Sequence, residues 1–332
     1  MSNIFDQIKT NLKDELSQID QVIINSSKGK ADLIAEISQH LVLSGGKRIR
    51  PILTILCAKL CGYKSGTRHC NLGAAVELIH SATLLHDDVV DDSKMRRNQK
   101  TSNAIWGNKA SILVGDYLLS VAFQLMVADG SLKVLDLLSR CSSIMSDGEV
   151  IQLTNSHDIN ISQEKYLEII SYKTAILFSA SCKVGGLICE VDETKQQNLN
   201  NFGNNLGISF QIIDDILDYD ATLENLGKDI GNDFYEGKIT LPIIITRTLA
   251  NEFDNKEIEK IFAENLLNPE QKNQENFKKI MNLIEKYDTL NKSKLVAVEF
   301  YNQAKKNLQN FPDCLEKEML INILEYSISR KK

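Results

Sequence analysis

Apolar side chains recur at the i, i+3, i+4, i+7 spacing of a helix face over nearly the whole of this chain, and little in it can stop a helix. The pattern covers 31–43, 51–61, 71–92, 109–128, 132–154, 163–189, 195–219 and 239–250. Only 4 prolines occur in 332 residues, and alternating strand patterns of useful length are absent. Breaks fall where turn residues collect: Ser44-Gly45-Gly46, Gly62 to Gly66, Asn155 to Ser162, and the long segment from Asp220 to Gly237. Pro51 stands where a helix can begin, because a first turn does not need the N–H it lacks. The expectation is an all-α fold in a single domain over 1–332. It has a peripheral amphipathic N-terminal helix within 1–30 and shorter C-terminal helices over 251–332, broken near Pro269 and Pro312.

A chain that is 43% hydrophobic is too apolar to stay disordered. Its net charge of −6 argues against general nucleic-acid binding, so an anionic substrate has to be met by local cations or a bridging metal. Seven cysteines, odd in number and without a CxxC, read as buried free thiols in a reducing compartment. The first twenty residues are amphipathic, unlike a secretory signal. No run of 18 apolar residues occurs, since Asp116 and Gln124 interrupt the most apolar stretch, Ile112 to Ala128. A soluble, cytoplasmic protein with no transmembrane segment is expected.

The chemistry is concentrated where apolar helices end in carboxylates. Residues 75–92 run from an apolar helix into Asp87, Asp88, Asp91 and Asp92. On a helix Asp87 and Asp91 share one face and Asp88 and Asp92 the adjacent one, and each pair repels by roughly 0.2–0.5 kcal/mol. The helix dipole also disfavours carboxylates at a C-terminus. Local stability does not select this arrangement; a divalent cation repays it. Mg²⁺ is commonly held by one or two carboxylates together with the oxygens of a phosphorylated substrate. A solvated acidic helix end is the plain alternative for one such segment. A second segment, Phe210 to Asp218, repeats the device with Asp214, Asp215 and Asp218, and repetition argues for a pair of metal clamps.

Cations lie close by. Lys47, Arg48 and Arg50 follow a glycine pair at a helix start, where backbone N–H groups and basic side chains suit a diphosphate. Lys94, Arg96 and Arg97 follow the first acidic cluster; Lys228 and Lys238, on a glycine-rich segment, follow the second.

With these motifs in this order the chain resembles the trans-prenyl (polyprenyl) diphosphate synthase family. The likeness rests on GGKRIRP at 45–51, LLHDDVVDDSKMRR at 84–97, GDYL at 115–118, GEVIQL at 148–153, YKTA at 172–175, FQIIDDILDY at 210–219 and GKDIGNDFYEGKITLP at 227–242. It covers about 37–242 and, more loosely, the C-terminal helices. It is strongest to the long-chain branch that makes octaprenyl and similar quinone side chains. The resemblance implies a helical bundle of the isoprenoid synthase type with a central apolar cavity, the two aspartate helices facing each other across its mouth, and a homodimer. Its substrates would be isopentenyl diphosphate and an allylic prenyl diphosphate, with Mg²⁺ as cofactor. Lys47, Arg50, His80 and Arg97 would hold isopentenyl diphosphate. Asp87, Asp88 and Asp91 would bind Mg²⁺ on the allylic diphosphate, which Arg96, Lys173 and Lys238 would also hold, and Lys228 would bind substrate beside them. Asp214, Asp215 and Asp218 would take a further Mg²⁺, and Thr174 and Gln211 would face the reacting carbon. The chain departs from the family at Asn98, where Gly is usual, at Lys94, where an acid is common, and at Tyr235.

Rival readings weigh less. His86 beside Asp87 suits a helical metal phosphohydrolase, but His40, His69 and His157 stand in no metal-ligand spacing. A terpene cyclase would not need the basic 45–51 segment for a second diphosphate. Trp106 and the 252–260 run read as packing and a solvated helix face. Chain length should depend on depth below Asp87: at 1.5 Å per residue Ala82 lies roughly 7.5 Å deeper, with no aromatic at Ile79, Ser81 or Thr83. Phe123 and Met126 are candidates for a floor, although each also reads as core. Ala82→Phe should therefore shorten the product; a product ladder identical to that of the unsubstituted protein would put the tunnel elsewhere.

Overall fold

A computed structural model of the chain describes residues 2–43, 46–96, 99–220, 230–267 and 273–330. The first half carries α1 (Ser2–Asn11), α2 (Lys13–Ser26), α3 (Asp32–Leu43), α4 (Ile49–Leu60), α5 (Arg68–Val90), the strands β1 (Met95–Arg96) and β2 (Gln99–Lys100), α6 (Ser102–Trp106), α7 (Asn108–Asp129) and α8 (Leu132–Thr154). The second half carries α9 (Gln163–Ile170), a π-helical turn (Ser171–Ala175), α10 (Ile176–Ile188), α11 (Glu193–Asp218), α12 (Asn232–Tyr235), α13 (Leu241–Leu249), α14 (Glu252–Leu267), α15 (Gln274–Lys286), α16 (Thr289–Asn307) and α17 (Leu315–Ser329). The all-α expectation holds, with one antiparallel ribbon of two-residue strands, Met95 opposite Lys100, as the only strands among the described residues.

The chain forms two compact units. One comprises Met1–Ser143, Leu177–Gly203 and Asn307–Ile323; the other comprises Ile144–Ile176, Asn204–Lys306 and Leu324–Lys332. The first is organised on α5, which packs chiefly against α7 and also against α4 and α2. Burial on nearly every side explains why α5 is apolar around its whole circumference: Leu72, Val76, Leu78, Ile79, Ala82 and Leu85 are all buried. The N-terminal segment departs from expectation. It is two helices meeting at Leu12, and α2 is not peripheral, because Ile19 is fully buried with its Cδ1 against Gly73 of α5.

The second unit has its own core. Phe234 of α12 is fully buried and meets Phe262 and Tyr235 edge-to-face, each at a ring separation of 5.3 Å, and Phe277 at a tilt at 5.5 Å. Gly231 enters this short helix at φ 77°, and a Cβ there would drive into the Phe277 ring, so only glycine fits. The 163–189 apolar pattern is continuous in sequence yet its hydrogen bonding widens for one turn at 171–175, which single-face periodicity does not reveal.

Other differences are local. The C-terminal helices are not short, α14 and α16 having 16 and 19 residues; Pro312 separates α16 from α17, and Pro269 lies outside the described residues. The 252–260 run is only partly a solvated face, since Ile258 is fully buried and Asp254 accepts from Lys286 Nζ and Tyr287 Oη, each at 2.5 Å. All seven cysteines are free; four are buried, and burial pushes the Cys70 and Cys141 thiols up to about 12. One described helix, α7, is long and apolar enough to cross a membrane by length and composition alone, although its seam of Val114, Leu118, Val121, Ala122 and Met126 is buried in the protein.

α10 approaches α4 closely at Gly185. A Cβ there would lie 2.5 Å from Ala58 N and 2.6 Å from Cys57 Cβ of α4. Gly185→Ala should lower stability by about 1–3 kcal/mol, as overpacking does. The readout is the urea midpoint, and an unmoved midpoint would mean that α10 does not seat this tightly on α4.

Candidate active site

The first acidic cluster straddles the end of α5. The helix stops at Val90, Asp91 is its C-cap with its N–H on Asp87 O, and Asp92 turns to φ 45°. Asp92 therefore leaves the face it was expected to share with Asp88 and pairs with the exposed Lys94 at 2.5 Å. Asp88 is buried. Its Oδ1 accepts from both Arg96 Nε and Nη2 at 2.9 Å, while Asn103 Nδ2 donates to its backbone carbonyl at 2.9 Å. Arg96 comes from the ribbon, so the two strands missing from the sequence reading are what bring this guanidinium back to the helix. His80, Asp88 and Arg96 line one cavity of about 40 Å³, together with Arg48, Glu77, Ser81 and Leu84.

Lys47, Arg50, Asp87 and Asp91 do not line that cavity. Lys47 is exposed, and the Arg50 guanidinium sits 4.6 Å from the centre of the Phe178 ring. Between them Arg48 takes φ 53°, a left-handed geometry costing roughly 1–2 kcal/mol for a side chain of this kind. Two carboxylates hold it there: Glu77 Oε1 of α5 at 2.5 Å and Asp20 Oδ1 of α2 at 3.4 Å. The alternation of conformations sends Arg48 into the protein beside its two basic neighbours. Arg97 lies outside the described residues, as does Lys228.

In the second unit Lys173, Thr174, Gln211, Asp215 and Lys238 line one cavity of about 110 Å³, with Gln152, Tyr166 and Asp233. The π-helical turn presents Lys173 and Thr174 in succession. Lys173 Nζ donates to Glu149 Oε2 at 2.9 Å and to Gln152 Oε1 at 2.7 Å, both on α8. Gly148 allows this approach, since a Cβ would stand 2.9 Å from Lys173 N. The GEVIQL motif thus acquires a physical job, the aiming of a lysine. Lys238 is paired with Glu236 at 2.6 Å.

The carboxylates of the second cluster differ sharply in surroundings. Asp214 is half-exposed and pairs with Arg330 Nη2 at 3.0 Å, whose guanidinium stacks on Phe210 at 3.5 Å. Asp215 is buried, accepting from Tyr166 Oη at 2.6 Å and Gln211 Nε2 at 2.8 Å. Asp218 is buried and its Oδ2 accepts from the Asp233 N–H at 2.9 Å. Burial pushes the Asp215 carboxyl up to about 7, with the neighbouring Asp214 and Asp218 adding to it; burial, then Asp215 and Asp218, drives Asp233 well above the usual carboxylate range. Such a set is short of positive charge and fits a divalent cation. Among the described residues no three acidic, histidine or cysteine side chains converge closely enough to hold a metal ion by themselves.

Tyr166 and Arg330 carry no local signal in the sequence, and Glu149 stands there only as part of the GEVIQL motif, with no role assigned to it. His86, the mark of the phosphohydrolase reading, docks on α7, its Nε2 3.3 Å from Ile112 O and its ring against Gly115. Ala82 and Met126 are buried and Phe123 is half-buried; none lines either cavity.

An all-α fold whose acid-tipped helices are flanked by lysines, arginines and hydroxyl dipoles is that of a prenyl-transferring synthase. Residues 31–284 match the polyprenyl synthetase family. An octaprenyl diphosphate synthase of Escherichia coli is 44% identical over 230 residues, 69% of this chain and 71% of that protein. A decaprenyl diphosphate synthase structure from Rhodobacter capsulatus superposes with a TM-score of 0.92 at 37% identity, covering 99% of both chains. A polyprenyl synthase structure from Caulobacter crescentus, complexed with calcium and isoprenyl diphosphate, gives 0.91 at 38% identity over 99% of this chain and 98% of that one. The chain belongs to the polyprenyl synthetase family. It is a prenyltransferase, a long-chain trans-polyprenyl diphosphate synthase, and the cyclase and phosphohydrolase readings fall away.

The Arg48–Glu77 pair makes a structural prediction. Both side chains are largely buried, at 15% and 9% exposure, so Glu77→Ala strands a guanidinium that Asp20 alone meets. A loss of about 3 kcal/mol is expected in chemical unfolding, the low end for breaking a buried pair. A loss under about 0.5 kcal/mol would show that Arg48 does not depend on Glu77.

Proposed function

We propose that the chain elongates an allylic prenyl diphosphate, farnesyl or similar, by Mg²⁺-dependent head-to-tail condensation with isopentenyl diphosphate, yielding an octaprenyl product for the quinone side chain. The observation that carries this reading is the shared cavity of Lys173, Thr174, Gln211 and Lys238, which joins cations suited to a departing diphosphate with dipoles suited to an electron-deficient carbon. The 44% identity to an octaprenyl diphosphate synthase supports the product length, as does the small side chain at Ala82.

The roles follow from charge. Lys47, Arg50, His80 and Arg97 hold isopentenyl diphosphate. Arg96, Lys173, Lys228 and Lys238 hold the allylic diphosphate and stabilise the charge that grows on it as the carbon–oxygen bond breaks. Asp87, Asp88 and Asp91, and likewise Asp214, Asp215 and Asp218, hold Mg²⁺, which supplies further neutralisation of the leaving group. Thr174 and Gln211 oxygens steady the allylic cation, and the isopentenyl double bond, held in place by its own basic pocket, attacks it. Apolar walls exclude the water that would trap the cation. No side chain of these motifs is suited to take the final proton, which falls to the released diphosphate.

A cytoplasmic homodimer completes the reading. Ile112, Leu113 and Val127 are exposed apolar side chains of α7, which a second copy would cover.

Purified protein incubated with labelled isopentenyl diphosphate, farnesyl diphosphate and Mg²⁺ should give long prenyl chains on sizing the dephosphorylated lipids. Chelation of Mg²⁺ should stop incorporation, and Asp87→Ala or Asp218→Ala should reduce kcat by about a hundredfold or more. Consumption of farnesyl diphosphate without isopentenyl diphosphate, or activity indifferent to both substitutions, would refute the proposal.

A further inference from the structure

Behind Thr174 runs a chain of hydrogen bonds with one member that the reaction chemistry does not call for. Tyr166, on α9, is 3% exposed, and its phenol donates to Asp215 Oδ2 at 2.6 Å, the short distance of a charge-assisted bond. The other carboxylate oxygen, Oδ1, accepts from Gln211 Nε2 at 2.8 Å. This contact turns the amide nitrogen of Gln211 toward Asp215. The amide oxygen is left for Thr174, whose Oγ1 donates to it at 2.9 Å. Because the Thr174 proton is engaged there, toward any other neighbour its oxygen acts only as an acceptor.

We infer that Tyr166 is a positioning residue for the condensation: through Asp215 and Gln211 it sets the direction of the Thr174 hydroxyl, so that the negative end of that dipole meets the allylic carbon. The inference rests on the function proposed above. The ring of Tyr166 also belongs to the apolar core of its unit, and phenylalanine would serve that purpose equally well. The phenol oxygen is what the core does not need. Without it Asp215 keeps a single side-chain donor, and the amide of Gln211 loses the fixed partner that holds its orientation. α9 leads directly into the π-helical turn bearing Thr174, so Tyr166 reaches the same hydroxyl along the backbone and, through Asp215, from its far side.

The test is Tyr166→Phe in the full-length chain, assayed with labelled isopentenyl diphosphate, farnesyl diphosphate and Mg²⁺. We expect kcat to fall about tenfold to a hundredfold, as slight misplacement of a reacting group does. KM for isopentenyl diphosphate should stay within about twofold, because no contact to that substrate is removed. The same change in a Thr174→Val background should cost nothing further, since the dipole being aimed is gone. Core damage alone would act equally in both backgrounds. Wild-type kcat in Tyr166→Phe, or losses that multiply independently with Thr174→Val, overturns the assignment. If Tyr166→Phe does not fold, Gln211→Glu carries the test. A carboxylate there cannot donate to Asp215, and undiminished kcat in that variant overturns the assignment too. An unsubstituted protein that forms no prenyl product instead overturns the proposed function.

Discussion

Carboxylates crowded at the ends of apolar helices are the constraint on which everything else in this protein depends. Two unit charges 4 Å apart still interact by about 4 kcal/mol near a protein surface, and burial removes the water that would screen them. The protein meets this differently in its two clusters. Asp88 is buried and neutralised by a single guanidinium, Arg96. In the second cluster Asp215 accepts, among the described residues, from the neutral donors Tyr166 and Gln211, and burial raises it to about 7 beside an Asp233 raised well above the usual carboxylate range. A fold serving stability alone would not keep such a group.

Cations receive the complementary treatment. Lys173 is held between Glu149 and Gln152, Lys238 by Glu236, and Arg330 by Asp214 with Phe210 beneath it. Long flexible side chains that would otherwise sample many rotamers are thereby restricted. The supports are themselves specific. Gly148 makes room for the Lys173 backbone, and the left-handed Arg48 is secured by acids from two helices.

Motif residues proved readable in kind and less so in placement. The aspartate pairs and the Arg96 that follows them announce themselves through spacing and charge, whereas the YKTA turn and His80 are marked only by the family resemblance. Asp92 does not, because a helix end is set by a cap worth about 1 kcal/mol, and one residue of shortening moves a side chain to another face. The ribbon at 95–100 is likewise invisible, since two-residue strands have no periodicity to detect. His86, the mark of the phosphohydrolase reading, docks on α7 beside Gly115, with its Nε2 near Ile112 O and Asp116 Oδ1, contacts made by residues 26 to 30 positions away.

Order along the chain sufficed for the all-α class, the family and the residue types of the site, because helix periodicity and clustered like charges are local properties. Partnership required folding. That Tyr166 should meet Asp215 across 49 positions, that Glu149 should steer Lys173, or that Arg330 should fold back on Asp214 follows only from helix packing. Which side chain faces which is governed by close-packed contacts between distant segments, and a linear pattern carries no record of those distances.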